Sequence, residues 1–170
     1  SPWFQTHADV FKASDNCFFV YLVCRGSKYG FVYPVKTASI AVSKIVAWLE
    51  DIEQEAGLPT IMITDRDGIF VADRFQAYLA SRRIKHIMIP GQEPHLNGLV
   101  EKQGGVLKLI FQKIKSTTQG MDDADVLRQA LHAKHRMPGS DGISPFEAWF
   151  GRKPRETCNL LDDGGPPDVA

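Results

Sequence analysis

Residues 17 to 64 constrain the fold before any side chain is asked to do chemistry. "CFFVYLVCR" (17 to 25) and "YGFVYPV" (29 to 35) are β-branched and aromatic runs separated by the turn "GSK", which predicts two adjacent antiparallel strands. Val42, Ile45, Val46, Leu49 and Ile52 then fall on one face of an amphipathic helix, stopped by Gly57 and Pro59. "TIMIT" (60 to 64) is a short apolar strand, so the pattern has moved from hairpin to strand–helix–strand. Such a chain builds a mixed sheet with helices on it.

The flanking segments extend the same plan. "WFQTHADVF" reads as a first strand carrying His7 and Asp9, and "IKHIMI" (84 to 89) as a fifth. Between the fourth and fifth strands a helix with Val71, Phe75, Tyr78 and Leu79 inward is expected. A long helix follows the loop that begins near Pro90, a polar break spans about 117 to 123, and another helix runs from about Ala124 to His135. Ser144 and Glu147 have capping-box spacing and Pro145 sits at the first helical position, which starts a last short helix. The expectation is one α/β domain over residues 1–155, with 156–170 as a C-terminal extension or linker rich in Arg, Pro, Gly and Asp.

Composition excludes several classes. No run approaches the roughly 18 apolar residues of a membrane span, and no basic-then-apolar leader opens the chain, so neither membrane nor secretion is indicated. Cys17, Cys24 and Cys158 offer neither a CxxC pair nor an even count, which points to a reducing compartment and away from a zinc site. The 20 basic and 20 acidic residues cancel, so nucleic acid would have to be held by local patches. The candidates are 82–86, the lysines at 108, 113 and 115, Lys134-His135-Arg136 and 152–155, each of which also reads as an ordinary solvated face.

Three acids stand out by position. Asp9 lies in the first strand, Asp65 at the carboxyl end of the fourth, where ligands of open α/β sheets bind, and Glu101 early in the long helix. Three carboxylates brought together repel and raise one another's pKa unless a cation neutralises them, and an oxygen-only donor set suits Mg²⁺ or Mn²⁺. Two such ions would activate an attacking oxygen and stabilise a leaving one. Asp67 precedes Gly68 and is expected to form a turn; Asp15 and Asp73 read as loop and cap residues. His7 shares the strand face of Asp9, where packing or hydrogen bonding is expected. Asn97, Glu101 and Lys108 share a helix face, and Gly104 and Gly105 lie between them. Each glycine costs about 1 kcal/mol against Ala inside a helix, so it serves either close approach of a DNA backbone or close packing of a neighbouring element.

Between Asp65 and Glu101 stand 35 residues, and the surrounding words are "TDRDGIF" and "PHLNGLVEK", preceded by "HAD". Together these resemble the catalytic core of retroviral and LTR-retrotransposon integrases over residues 3 to about 155. "SPFEAWFGRKP" is similar to copia-type elements and "TDRD" to gypsy-type ones, which leaves the subfamily open. The resemblance implies a ribonuclease H-like, five-stranded mixed sheet flanked by helices. It implies two Mg²⁺ (or Mn²⁺) held by Asp9, Asp65 and Glu101, 3′-end processing of element DNA, and strand transfer into target DNA. It places Asn97, Lys102 and Lys108 on double-stranded DNA, although Gly104 and Arg66 stand where the family often has a polar and a short residue.

The resemblance also implies a homodimer or higher oligomer, with the first helix and the helix of about Ala124 to His135 as candidate contact elements. It implies an N-terminal zinc-binding and a C-terminal DNA-binding module in the full protein, a polyprotein origin, and a nuclear or virus-like-particle location. The rival expectations are a domesticated, catalytically silent domain that binds DNA or protein, a cut-and-paste transposase, and a ribonuclease H proper. An intact set of three acids speaks against the first.

Overall fold

The computed structural model describes residues 3–90 and 97–155. The expected extension at 156–170, with Cys158, and most of the loop before the long helix lie outside the described residues. Five strands form one sheet: β1 (Gln5–Ser14), β2 (Cys17–Cys24), β3 (Gly30–Val35), β4 (Ile61–Thr64) and β5 (Lys85–Met88), in the order β3-β2-β1-β4-β5. The first three pair antiparallel, while β4 and β5 join β1 in parallel. The helices are α1 (Val42–Ala56), α2 (Gly68–Val71), α3 (Asp73–Ser81), α4 (Gly98–Thr117), α5 (Asp123–Arg136) and α6 (Pro145–Phe150). This is the mixed five-stranded α/β architecture expected from the sequence.

Period-two alternation along β2 divides the core. Val20, Leu22 and Cys24 face one side of the sheet, packed with Ile45, Leu49 and Ile52 of α1 and Phe75 and Leu79 of α3. Phe19, Tyr21 and Val23 face the other, against Val100, Leu107 and Phe111 of α4 and Val126, Leu127 and Ala130 of α5. On β1, Ala8 belongs to the first layer and Phe11 packs on the second, so Asp9, two residues before Phe11, lies on the face that α4 covers.

Three local details differ from the expectations. The helix between β4 and β5 breaks at Ala72, whose extended ψ of 137° closes α2 and opens α3, and this leaves Val71 45% exposed rather than inward. Lys134 and His135 are buried, not a solvated basic face. The reason lies in the stripe Val126, Ala130, Lys134, which recurs every fourth residue and turns Lys134 toward the core. His135 Nε2 accepts from the Gly30 amide at 3.2 Å, and its ring stacks on Tyr29 at 3.8 Å between centroids. At α6 the expected capping box is present, Ser144 accepting from the Glu147 amide while Glu147 accepts from that of Ser144.

Candidate active site

Parallel pairing sets the first two acids side by side. Ala8 pairs with Thr64 across β1 and β4, so Asp65 follows the last residue of β4 beside Asp9, which continues along β1 opposite Tyr21 of β2. Neighbouring strands run about 4.8 Å apart. Burial raises the Asp9 carboxyl from its ordinary 3.8 to about 7, helped by repulsion first from Asp65 and then from Glu101 and Asp67, while its hydrogen bond from the Val10 amide at 2.7 Å opposes the rise. Asp9, Asp65 and Glu101 therefore share one electrostatic field. Asp65 Oδ1 accepts from the Asp67 amide at 3.0 Å, and Asp67 Oδ1 accepts from the Ile69 amide at 3.1 Å, capping α2 as the turn reading expected.

Glu101 is supplied by the first turn of α4 and is exposed. What sets α4 at its height over β1 is Gly104, one turn further on. A β-carbon on Gly104 would fall inside van der Waals distance of the Phe11 ring, whereas one on Gly105 would meet nothing within 4 Å. Close packing, not an open face for DNA, is thus the reason for Gly104. Its neighbour remains open.

Among the described residues, no group of three His, Cys, Asp or Glu side chains is gathered tightly enough to hold a metal ion. The three acids converge in charge without closing on one point. Their chemistry nevertheless fits a hard divalent cation, because all donors are carboxylate oxygens and Asp9, raised first by burial, is raised further by the charges of Asp65 and Glu101.

The residues expected on DNA divide. Lys102 and the half-exposed Lys108 stand on α4, but Asn97 is only 5% exposed at the start of that helix, beside His7. Burial lowers the pKa of His7, and hydrogen bonding to Asn97 opposes the shift. Gln5 Nε2 lies 3.3 Å from His7 Nε2; with the amide donating there, His7 Nδ1 keeps its proton. Neither that Nδ1 nor Asn97 Oδ1 reaches full hydrogen-bond geometry. Contact between Asn97 and DNA would require it to leave this position.

Sequence reasoning missed a polar chain behind Asp65. Gln76 Nε2 lies 2.8 Å from His86 Nδ1, His86 Nε2 lies 2.9 Å from Thr64 Oγ1, and Thr64 Oγ1 donates to the Asp65 carbonyl at 2.8 Å. Only one tautomer satisfies all three: Gln76 donates to Nδ1, and protonated Nε2 donates to Thr64. In the sequence His86 reads as part of the basic patch at 82–86. Its place in a strand, two residues into an apolar run, was the available signal.

No protein-family model matches the chain. An uncharacterized protein of Caenorhabditis elegans is 29% identical over 163 residues, covering 95% of this chain and 12% of that protein. The Gag-Pol polyprotein of avian reticuloendotheliosis virus is 30% identical over 135 residues, covering 76% of this chain and 11% of the polyprotein. The chain thus spans only about a tenth of the length of these relatives. Among solved structures, a chain of the simian T-cell lymphotropic virus intasome superposes with a TM-score of 0.78 at 20% identity, over 91% of this chain and 56% of that one. The integrase catalytic core domain of HTLV-2, solved with magnesium in a dimeric form, superposes with a TM-score of 0.71 at 19% identity, over 86% of this chain and 96% of that one.

Proposed function

We propose that this chain, a relative of retroviral Pol polyproteins with the fold of integrase catalytic cores, is a polynucleotidyl transferase that trims the 3′ ends of element DNA and joins them to target DNA. The observation that carries the reading is the side-by-side placement of Asp9, within β1, and Asp65, at the end of the parallel neighbour β4, beside a helix that presents Glu101. The solved HTLV-2 core contains magnesium, which supports the same class of cation here.

Asp9, Asp65 and Glu101 would hold two divalent ions, which when bound lower the pKa of an attacking oxygen and stabilise the leaving one. The chain's own work is positioning. The β1–β4 register fixes two carboxylates, the Gly104–Phe11 contact sets the height of the third, and the Thr64–His86–Gln76 chain braces the peptide of Asp65. Lys102 and Lys108 on the exposed flank of α4 would take phosphates of the DNA backbone. Residues 1–155 would form the core, and zinc-binding and DNA-binding modules of a longer polyprotein would supply most of the grip. We place its action in the nucleus or in a cytoplasmic virus-like particle.

The dimeric and trimeric forms in which the HTLV-2 core was solved support an oligomer, with α1 and α5 as contact elements. The decisive experiment titrates Mn²⁺ into the wild-type chain and Glu101→Gln by calorimetry, with a branched-DNA disintegration assay alongside. Metal binding weakened and joining abolished by the substitution are expected. An Asp65→Asn protein that joins DNA as well as the parent would end the assignment.

A further inference from the structure

A second basic site, lined by none of the three acids, lies in a cavity of about 440 Å³ between the β2–β3 turn, α4 and the segment that links α5 to α6. Lys28 from the turn, Lys102 from α4 and Lys134 from α5 line it together, with Asp141 as its one acid. Among the described residues, none of the three lysines has a carboxylate within ion-pair distance. Asp141 is already engaged, since its Oδ1 accepts from the Ile143 amide at 3.0 Å and keeps the carboxylate in its own loop.

Lys134 is the residue that asks for an explanation. It is only 3% exposed, its ammonium lies 5.9 Å from the centre of the Tyr21 ring, and Lys28 repels it. Burial first, and Lys28 second, lower its pKa to about 8, so it remains largely charged at neutral pH with no anion beside it. A lysine whose stem is buried and whose ammonium meets the cavity without a counter-ion is costly, and a core position on an apolar stripe would be better filled by Leu or Met. Lys28 meanwhile sits at a left-handed φ of 61° in the turn, and its ammonium donates to the Arg25 carbonyl. Strain and burial are both borne where two positive charges meet.

We propose that this cavity binds a phosphate group, whose negative charge and tetrahedral oxygens are held by the ammonium groups of Lys28, Lys102 and Lys134. Lys134 supplies the fixed charge at the floor, and the other two close over the ligand from the rim. The phosphate could come from a free oligophosphate or from a nucleic-acid backbone, and the chemistry that recognises it is the same. The proposal goes beyond the catalytic reading, because the site needs none of the three acids and no metal; it shares with that reading only Lys102, at the rim.

The test uses the whole chain in EDTA, with sodium tripolyphosphate as the probe in calorimetry. Lys134→Met keeps the length and apolar packing of the stem on Tyr21 and removes the charge; it is expected to weaken tripolyphosphate binding at least tenfold. Lys28→Ala, a change in a surface turn that leaves the core intact, is expected to weaken it at least threefold. Lys44→Ala, on α1, is expected to change nothing. A 12-nucleotide single strand labelled for anisotropy separates the sources: displacement by tripolyphosphate and weakening in Lys134→Met identify a backbone phosphate, and indifference to both identifies a free oligophosphate. Absence of millimolar tripolyphosphate binding by the wild-type chain overturns the proposal, as does unchanged affinity in Lys28→Ala and in folded Lys134→Met. Should Lys134→Met fail to fold, the Lys28→Ala titration alone decides. The catalytic reading can fail in the disintegration assay without altering any of these outcomes.

Discussion

Gly104 lies against the ring of Phe11, so the helix that presents Glu101 rests directly on the strand that carries Asp9. The two contacts are one turn of helix and two residues of strand away from the two acids. A packing contact therefore sets the spacing of the site.

Gly104→Val is expected to destabilise the fold by about 1–3 kcal/mol, the usual cost of overpacking, and to weaken Mn²⁺ binding as α4 lifts from β1. Gly105→Ala, with open space around it, is expected to stabilise by about 0.5–1 kcal/mol. Urea denaturation of both variants, of Phe11→Ala and of Phe11→Ala/Gly104→Val checks this, since the cost of Gly104→Val should largely vanish in the Phe11→Ala background. Equal effects at 104 and 105 would contradict the packing account.

Metal-free Asp9→Asn is expected to be more stable than wild type at pH 8. The folded pKa of Asp9 is raised to about 7 from 3.8, so its favourable contribution is complete below 3.8 and lost as pH rises through 7. After discounting for partial exposure, the gain from Asn is about 1 kcal/mol or more at pH 8 and vanishes near pH 4. Thermal melts at the two pH values in EDTA read it, and Mn²⁺ should raise the melting temperature of wild type but not of Asp9→Asn.

The pH dependence carried by His135 has the opposite sign. Burial lowers its pKa from 6.5 to about 3, so its contribution is present above 6.5 and lost as pH falls. In an Asp9→Asn background, which removes the opposing titration, His135→Phe is expected to reduce the loss of stability between pH 6.5 and 5 by about 1 kcal/mol per pH unit. It also costs about 1–3 kcal/mol at neutral pH, because the Gly30 amide loses its acceptor. Denaturant midpoints across that window would expose a wrong assignment as parallel curves.

His86→Ala is expected to cost about 1–3 kcal/mol and to lower Mn²⁺ affinity several-fold, because Thr64 and Gln76 both lose a partner. His86→Gln, which can accept with one atom and donate with the other, should restore most of both. If Gln behaves like Ala, the ring fills space and orients nothing.

Much of this architecture could be read from residue order. The alternation in 17–35, the α1 stripe and the Ser144–Glu147 spacing each impose a local geometry that the tertiary fold leaves intact. What could not be read was the depth at which polar residues sit. Asn97, Lys134 and His135 are polar types that usually stay at the surface, and burial by distant elements overrode that preference. For Lys134 the period of the apolar stripe was the better guide than the side chain's charge. The glycine pair could not be divided from sequence either, since only the arrival of Phe11 from β1 distinguishes 104 from 105.

The order of strands has a consequence for how the chain comes together in time. β1, β2 and β3 are joined by short turns and pair with their immediate neighbours, so this meander closes small loops and forms early, with Asp9 already on it. β4 reaches β1 only through the α1 crossover, and α4 follows β5 in the chain. The electrostatic conflict among Asp9, Asp65 and Glu101 therefore belongs to the long-range contacts of the fold, and the local meander that carries Asp9 is expected to form without meeting it.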